Sequence, residues 1–141
     1  MIGFEHPLAR AALEEVIELH AFFEAWLGGT GPDTASAFAQ VESALAETFT
    51  MVSPEGRRQS RGEVIAWLRR AYGSKGSGGA FRISIRETEV HVLSPPLAVV
   101  GYVEEQTSPT ALTLRSSTAV LGMSPTGERP RWLALHETWI A

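Results

Sequence analysis

The chain has 141 residues, enough for one domain that buries about two-thirds of the surface its unfolded form exposes. It contains no cysteine, which excludes disulfides, thiolate metal sites and a thiol nucleophile, and its net charge of −4 argues against a nucleic-acid surface, which needs a basic face. The start, Met1 to Pro7, lacks the basic and apolar segments of a signal peptide, and no apolar run reaches the length of a membrane span, so a cytoplasmic protein without membrane contact is expected.

From Leu8 to Leu27, apolar residues recur at Leu13, Val16, Ile17, Phe23 and Leu27, the stripe of an amphipathic helix that Gly28-Gly29 ends. Leu19, Phe22 and Trp26 add a second stripe, which points to protein contact on more than one side or to a partner subunit. His20 shares a face with Val16, Phe23 and Leu27, and is expected as a packed histidine with one hydrogen bond that can also line a pocket. A second helix is predicted over Thr34 to Ala46, with Phe38, Val41 and Leu45 on one face and Pro32-Asp33 as turn and cap. Glu47 to Ser53 reads as a strand, and Pro54-Glu55-Gly56 turns it back toward a short strand near Arg58. Ser60 to Glu63 has capping-box spacing for a third helix, with Val64, Ile65, Leu68 and Tyr72 as its apolar face and Gly73 to Gly79 as a flexible exit.

The remainder is strand: Phe81 to Leu93, Leu97 to Thr107, Leu112 to Met123 and Arg131 to Ile140, separated by Ser94-Pro-Pro96, Ser108-Pro109 and Ser124 to Gly127. In the first of these the apolar phase moves from Phe81, Ile83 and Ile85 to Val90 and Val92, as a β-bulge between them would produce. Helices first and hairpin-connected strands after, with no linker or repeat, predict one α+β domain over residues 1–141: three helices on a curved, mostly antiparallel sheet, with a partly polar pocket between.

A hairpin closed around Ser108-Pro109 places Glu104 opposite Arg115 and Tyr102 opposite Ser117. One sheet face then carries Tyr102, Glu104, Gln106, Thr113, Arg115 and Ser117. Strict alternation of the last strand puts Trp132, Ala134, His136 and Thr138 on one side, against Leu133, Leu135, Glu137 and Trp139 on the other. A carboxylate, a guanidinium and an imidazole that converge can move a proton near neutral pH. The candidate catalytic set is therefore His136 as acid or base, Arg115 to hold an anionic or enolate oxygen, and Glu104 to orient Arg115. Tyr102 and Trp132 shape the cavity, and Gln106, Ser117, Thr118, Thr138 and His20 complete the ligand-binding candidates. The competing reading is a ladder of salt bridges and hydrogen bonds on an exposed face, which does no chemistry.

Other motifs point away from chemistry. His136-Glu137 lacks the second histidine of a zinc-protease helix, and His6, His20, His91 and His136 are scattered, so no metal or cofactor is expected. Arg57, Arg58 and Arg61 read as a solvated turn. The Gly73 to Gly79 loop follows a helix and precedes a strand, the reverse of a phosphate cradle, and no Gly-x-Ser-x-Gly elbow occurs.

The order of elements, with Phe49 to Gly56 before a capped helix and four long strands after it, resembles the cone-shaped superfamily of nuclear transport factor 2, ketosteroid isomerase and SnoaL-like cyclases. The late strands, with Tyr102, Glu104 and Gln106, then Arg115 to Thr118, then Trp132 and His136 to Trp139, are similar to those of small SnoaL-like proteins. The resemblance implies a pocket inside the cone and, in many members, a homodimer formed through the sheet. It implies acid/base carboxylates or a His-Asp pair in isomerase and dehydratase members, without a residue-by-residue map onto this chain. Many members carry His-x-His on the final strand, where Thr138 stands here. Two functions follow as expectations: a small-molecule pocket of a cofactor-independent isomerase, lyase or cyclase, or a dimerisation or ligand-sensing module without catalysis.

Overall fold

The computed structural model describes residues 3–76, 80–124, 126 and 129–140. Parts of the Gly73 to Gly79 exit and of the Ser124 to Gly127 turn, and the two ends of the chain, lie outside the described residues. The elements are α1 (Pro7–Gly28), α2 (Ala35–Ala44), β1 (Leu45–Val52), β2 (Arg58–Ser60), α3 (Arg61–Arg70), β3 (Arg82–Ser94), β4 (Leu97–Ser108), β5 (Ala111–Met123) and β6 (Pro130–Trp139). One six-stranded sheet runs β2-β1-β6-β5-β4-β3. It is antiparallel except where β1 lies parallel to β6, so the sheet is mixed, and it is not closed.

His6 caps α1 through Nδ1, which accepts from the Leu8 amide at 3.1 Å, and Pro7 occupies the first turn where its missing N–H costs nothing. Gly29 ends the helix in the left-handed region, φ 68°. The carbonyls left over at that end are taken by the segment after α3: Trp26 O accepts from the Gly73 amide and Leu27 O from the Lys75 amide, both at 2.9 Å. A Cβ on Gly29 would lie 3.1 Å from Gly73 Cα. Gly29→Ala is therefore expected to lower stability by about 1–2 kcal/mol, read by urea unfolding, since it adds left-handed strain to a close backbone approach.

The two apolar stripes of α1 have one destination. Leu19, Phe22 and Trp26 are buried inside the fold, where Trp26 and Phe22 lie 5.0 and 6.4 Å from the Phe38 ring of α2 and the Trp26 indole donates to Leu68 O of α3 at 2.7 Å. Val16 and Leu27 are also core, whereas Ile17, expected in the main stripe, is 49% exposed. The second stripe is thus covered by the chain's own helices and carries no argument for a partner subunit.

α2 stops at Ala44, two residues earlier than its apolar spacing suggests, because Leu45 and Ala46 are buried in β1, where Leu45 pairs with Trp132. Its N-cap is Thr34, which accepts from the Ala37 amide, rather than Asp33. Arg61 is not merely solvated: it donates to Leu45 O at 3.1 Å and Glu42 O at 2.7 Å, capping α2. The capping box of α3 is formed in both directions between Ser60 and Glu63. In β3 the register shifts between Arg86 and Glu89, with Glu87 at φ 53°, so the bulge lies where the apolar phase changes.

Candidate functional site

A cavity of about 410 Å³ lies between α1, α3 and the concave face of the sheet, within the roughly 300–1,000 Å³ usual for small-molecule sites. Its walls are apolar: Leu19 and Phe23 from α1, Phe49 and Met51 from β1, Trp67 and Leu68 from α3, Leu135 and Trp132 from β6. Its polar end is formed by His20, Glu104, Gln106, Arg115 and Glu137, with Glu55, Arg57 and Lys75 toward the rim.

The β4–β5 hairpin has the register expected from its turn, pairing Glu104 with Arg115 and Tyr102 with Ser117. The pairing does not make an ion pair of the first two. Glu104 is 3% exposed and gives its carboxylate to other groups: Oε1 meets His20 Nε2 at 3.1 Å, and Oε2 accepts from Gln106 Nε2 at 2.7 Å. Arg115 instead donates to Glu137 Oε1 at 3.4 Å and stacks on the Trp139 ring at 4.7 Å.

The last strand departs from strict alternation. Trp132 pairs with Leu121, while Ala134 pairs with Val120, so Leu133 is an extra residue on β6. A one-residue bulge moves every later side chain to the opposite face. Leu135, Glu137 and Trp139 therefore enter the cavity together with Trp132, and His136 and Thr138 are exposed on the outer face. His136 is thus corrected as a cavity residue, and with it Thr138 and Thr118, which pairs with His136 and shares its exposed side. Trp132, Gln106, Arg115, Glu104 and His20 do line the cavity; Tyr102 and Ser117 are buried directly beneath it.

Alternation alone puts Glu137 on the far face, although the signal that marks the β3 bulge is also present here: apolar residues change phase between Trp132 and Leu135. Gly122 makes room for the bulge, since a Cβ there would meet Leu133 Cδ1 at 3.0 Å. His20 makes two hydrogen bonds rather than one, its Nδ1 lying 2.7 Å from Val16 O, which with Glu104 holds the ring between Phe23, Tyr102 and Trp132.

Burial is the largest influence on Glu104 and pushes its pKa up, but the His20 charge, the hydrogen bonds from His20 and Gln106, and the Arg115 charge outweigh it and hold the carboxyl at about 2. Burial likewise lowers His20, and Glu104 and the Val16 carbonyl more than reverse it, so His20 titrates above its ordinary value. Glu137 goes the other way. Burial first, then repulsion from Glu104, push it up to about 7, against the pull of Arg115 and His20. Two carboxyls in one site with opposite shifts form an ionised carboxylate beside a proton-bearing acid, the division of labour that acid/base sites use. Tyr102 is raised further by burial and by both carboxylates. Tyr102 Oη, Ser117 Oγ and Arg115 Nε are buried without a hydrogen-bond partner of ordinary geometry among the described residues. Those residues contain no cluster of three or more His, Asp or Glu that could hold a metal ion.

The sucrose-6-phosphate phosphohydrolase C-terminal family model matches residues 12–141. The chain belongs to that family. No curated protein matches it. Among solved structures, an NTF-2 like protein of unknown function from Pseudomonas aeruginosa is 27% identical, with a TM-score of 0.84 over 93% of this chain and 99% of that one. A ketosteroid isomerase-like protein from Shewanella frigidimarina is 16% identical, with a TM-score of 0.70 over 94% and 98%. A CaMKII hub from S. rosetta is 13% identical, with a TM-score of 0.66 over 93% and 95%. This member of the family therefore has the NTF2-like fold, the superfamily its late-strand motifs resemble. No helix among the described residues is long and apolar enough to cross a membrane.

Proposed function

We propose that the chain acts as one cytoplasmic domain that binds a small molecule in this cavity, apolar body against the walls and polar end against Glu104, Arg115 and Glu137. The observation that carries the reading is Glu137: a buried carboxyl pushed up to about 7, beside a guanidinium, lining a largely apolar cavity. A buried polar cluster of this kind is costly to keep for stability alone. The chemistry it serves is proton transfer on the bound molecule, as in a cofactor-independent isomerisation, elimination or cyclisation. Glu137 moves the proton in place of His136, Arg115 stabilises a developing oxyanion, and the Glu104–His20 pair fixes the charge around them.

Thermal unfolding against a metabolite panel tests this. A ligand at about 100 times its Kd adds roughly 2.7 kcal/mol to stability, a shift of several degrees. The shift is expected to vanish in Arg115→Gln and to persist in His136→Ala, whose own stability should stay within about 0.5 kcal/mol of the parent because the side chain is exposed. Loss of the shift in His136→Ala with Arg115→Gln unaffected would overturn the site.

A second reading, assembly through the sheet, is favoured by the outer face, where Leu97 and Leu133 pack over Gly122 beside exposed Val92, and by the hub among the structural neighbours. Sedimentation velocity would show a homodimer that a Leu97→Glu substitution dissociates; a monomer at all concentrations would remove this reading and leave the pocket.

A further inference from the structure

We propose that the polar end of this cavity takes the carboxylate of a small monocarboxylic acid, seated on the guanidinium of Arg115 with its apolar body against the walls. The inference rests on the pocket reading and names its ligand class. Arg115 is largely buried, yet its one side-chain hydrogen bond among the described residues is the long one to Glu137, and its Nε has no partner. A guanidinium carries five donors and is never neutral, and leaving a buried donor unmet costs about 1–3 kcal/mol. A carboxylate matches that fork with two parallel hydrogen bonds.

The charge count agrees. Glu104 is matched by His20, 3.1 Å away, which leaves Arg115 as the surplus charge whenever Glu137, raised to about 7, carries its proton. The rim adds Lys75 and Arg57, the latter 3.9 Å from Glu63, against Glu55, so it sets no net negative charge in the path of an anion although the chain carries −4 overall. A phosphate monoester would bring two charges to one guanidinium flanked by Glu104 and Glu137, and an uncharged sugar would leave Arg115 unmatched. Phe49, Met51, Trp67 and Leu135 ask for an apolar body.

Binding is then linked to a proton. The groups facing Glu137 are Glu104 and Tyr102 from β4, Arg115 from β5 and His20 from α1. A ligand carboxylate on Arg115 screens the main attraction that favours ionised Glu137 and adds a repulsion, so Glu137 takes up a proton as the acid binds above its own pKa of about 7. Affinity is expected to fall as pH rises beyond that point.

The test is titration calorimetry near pH 8, in two buffers of different ionisation heat, with 3-phenylpropionate, hexanoate and benzoate, their amides, and phenyl phosphate as probes. A carboxylate that binds about tenfold or more tighter than its amide, with roughly one proton taken up in the parent and none in Glu137→Gln, supports the proposal. Arg115→Gln should lose the discrimination and Arg115→Lys keep part of it, thermal unfolding confirming that each variant folds. Preference for phenyl phosphate, equal binding of acid and amide, or amides binding while all three acids fail overturns the carboxylate assignment and leaves the pocket reading standing. Failure of every probe here, together with a metabolite panel that shifts nothing, overturns both.

Discussion

Replacing His20 by leucine is expected to cost about 3–5 kcal/mol at neutral pH, because it strands Glu104 as a buried carboxylate without its charge partner. Gln106 still donates to Oε2, but an amide supplies no charge. The double variant His20→Leu/Glu104→Leu should recover most of that loss, since an apolar pair of similar volume has nothing left to desolvate. Urea unfolding of the parent, both single variants and the double variant at 25 °C gives the coupling directly. If the single variants lose less than about 1 kcal/mol each, the pair is solvated and the electrostatic account of the site is wrong. The pH dependence has a definite sign. Glu104 is depressed to about 2, so its contribution is present above its ordinary value of 4.5 and is lost as pH falls from there through 2. His20 is raised above 6.5, so its contribution is complete below 6.5 and fades as pH rises through its folded value. The cost of His20→Leu should therefore be greatest between these limits.

Glu137→Gln should have the opposite effect on stability: little change near pH 5 and a gain of roughly 2–3 kcal/mol near pH 8. A carboxyl whose folded pKa is raised from 4.5 to about 7 holds its proton better in the folded state, so its contribution is complete below 4.5 and is lost as pH climbs to 7. Glutamine cannot ionise and escapes that loss, at the cost of a weaker contact with Arg115. Unfolding curves for the parent and the variant from pH 5 to 9 should diverge up to about pH 7, with a midpoint near 6, and keep a constant separation above it. Parallel curves would mean that Glu137 titrates as an ordinary surface carboxyl. If the acid does the chemistry proposed here, the same substitution abolishes turnover while leaving ligand binding intact, a separation that a purely structural role for Glu137 would not produce.

Strict alternation along β6 puts Glu137 on the wrong face, and the reason is physical. Local patterns along the chain named the elements. Apolar spacing found α1 and α3, the Ser60–Glu63 box found a helix start, and the phase change after Ile85 found the β3 bulge. Turn length alone sets the β4–β5 register and with it the position of Glu104 opposite Arg115. Those features depend on neighbours in sequence or on one tight turn.

The site depended on more. Whether β6 alternates evenly or carries an extra residue at Leu133 is decided by the strand beside it, where Gly122 leaves the space the bulge fills. That single residue exchanges His136 for Glu137 at the end of the cavity. The parallel pairing of β1 with β6, which makes the sheet mixed, joins residues far apart in sequence and leaves no local trace. His20 and Glu104 stand 84 positions apart, and only the packing of α1 across β4 brings them together. The sequence by itself determined the elements, the α+β class and the polar character of β4 and β5. Tertiary structure decided which histidine faces inward, which carboxyl keeps its proton and which guanidinium donors remain free, because desolvation and pairing act through space and not along the chain.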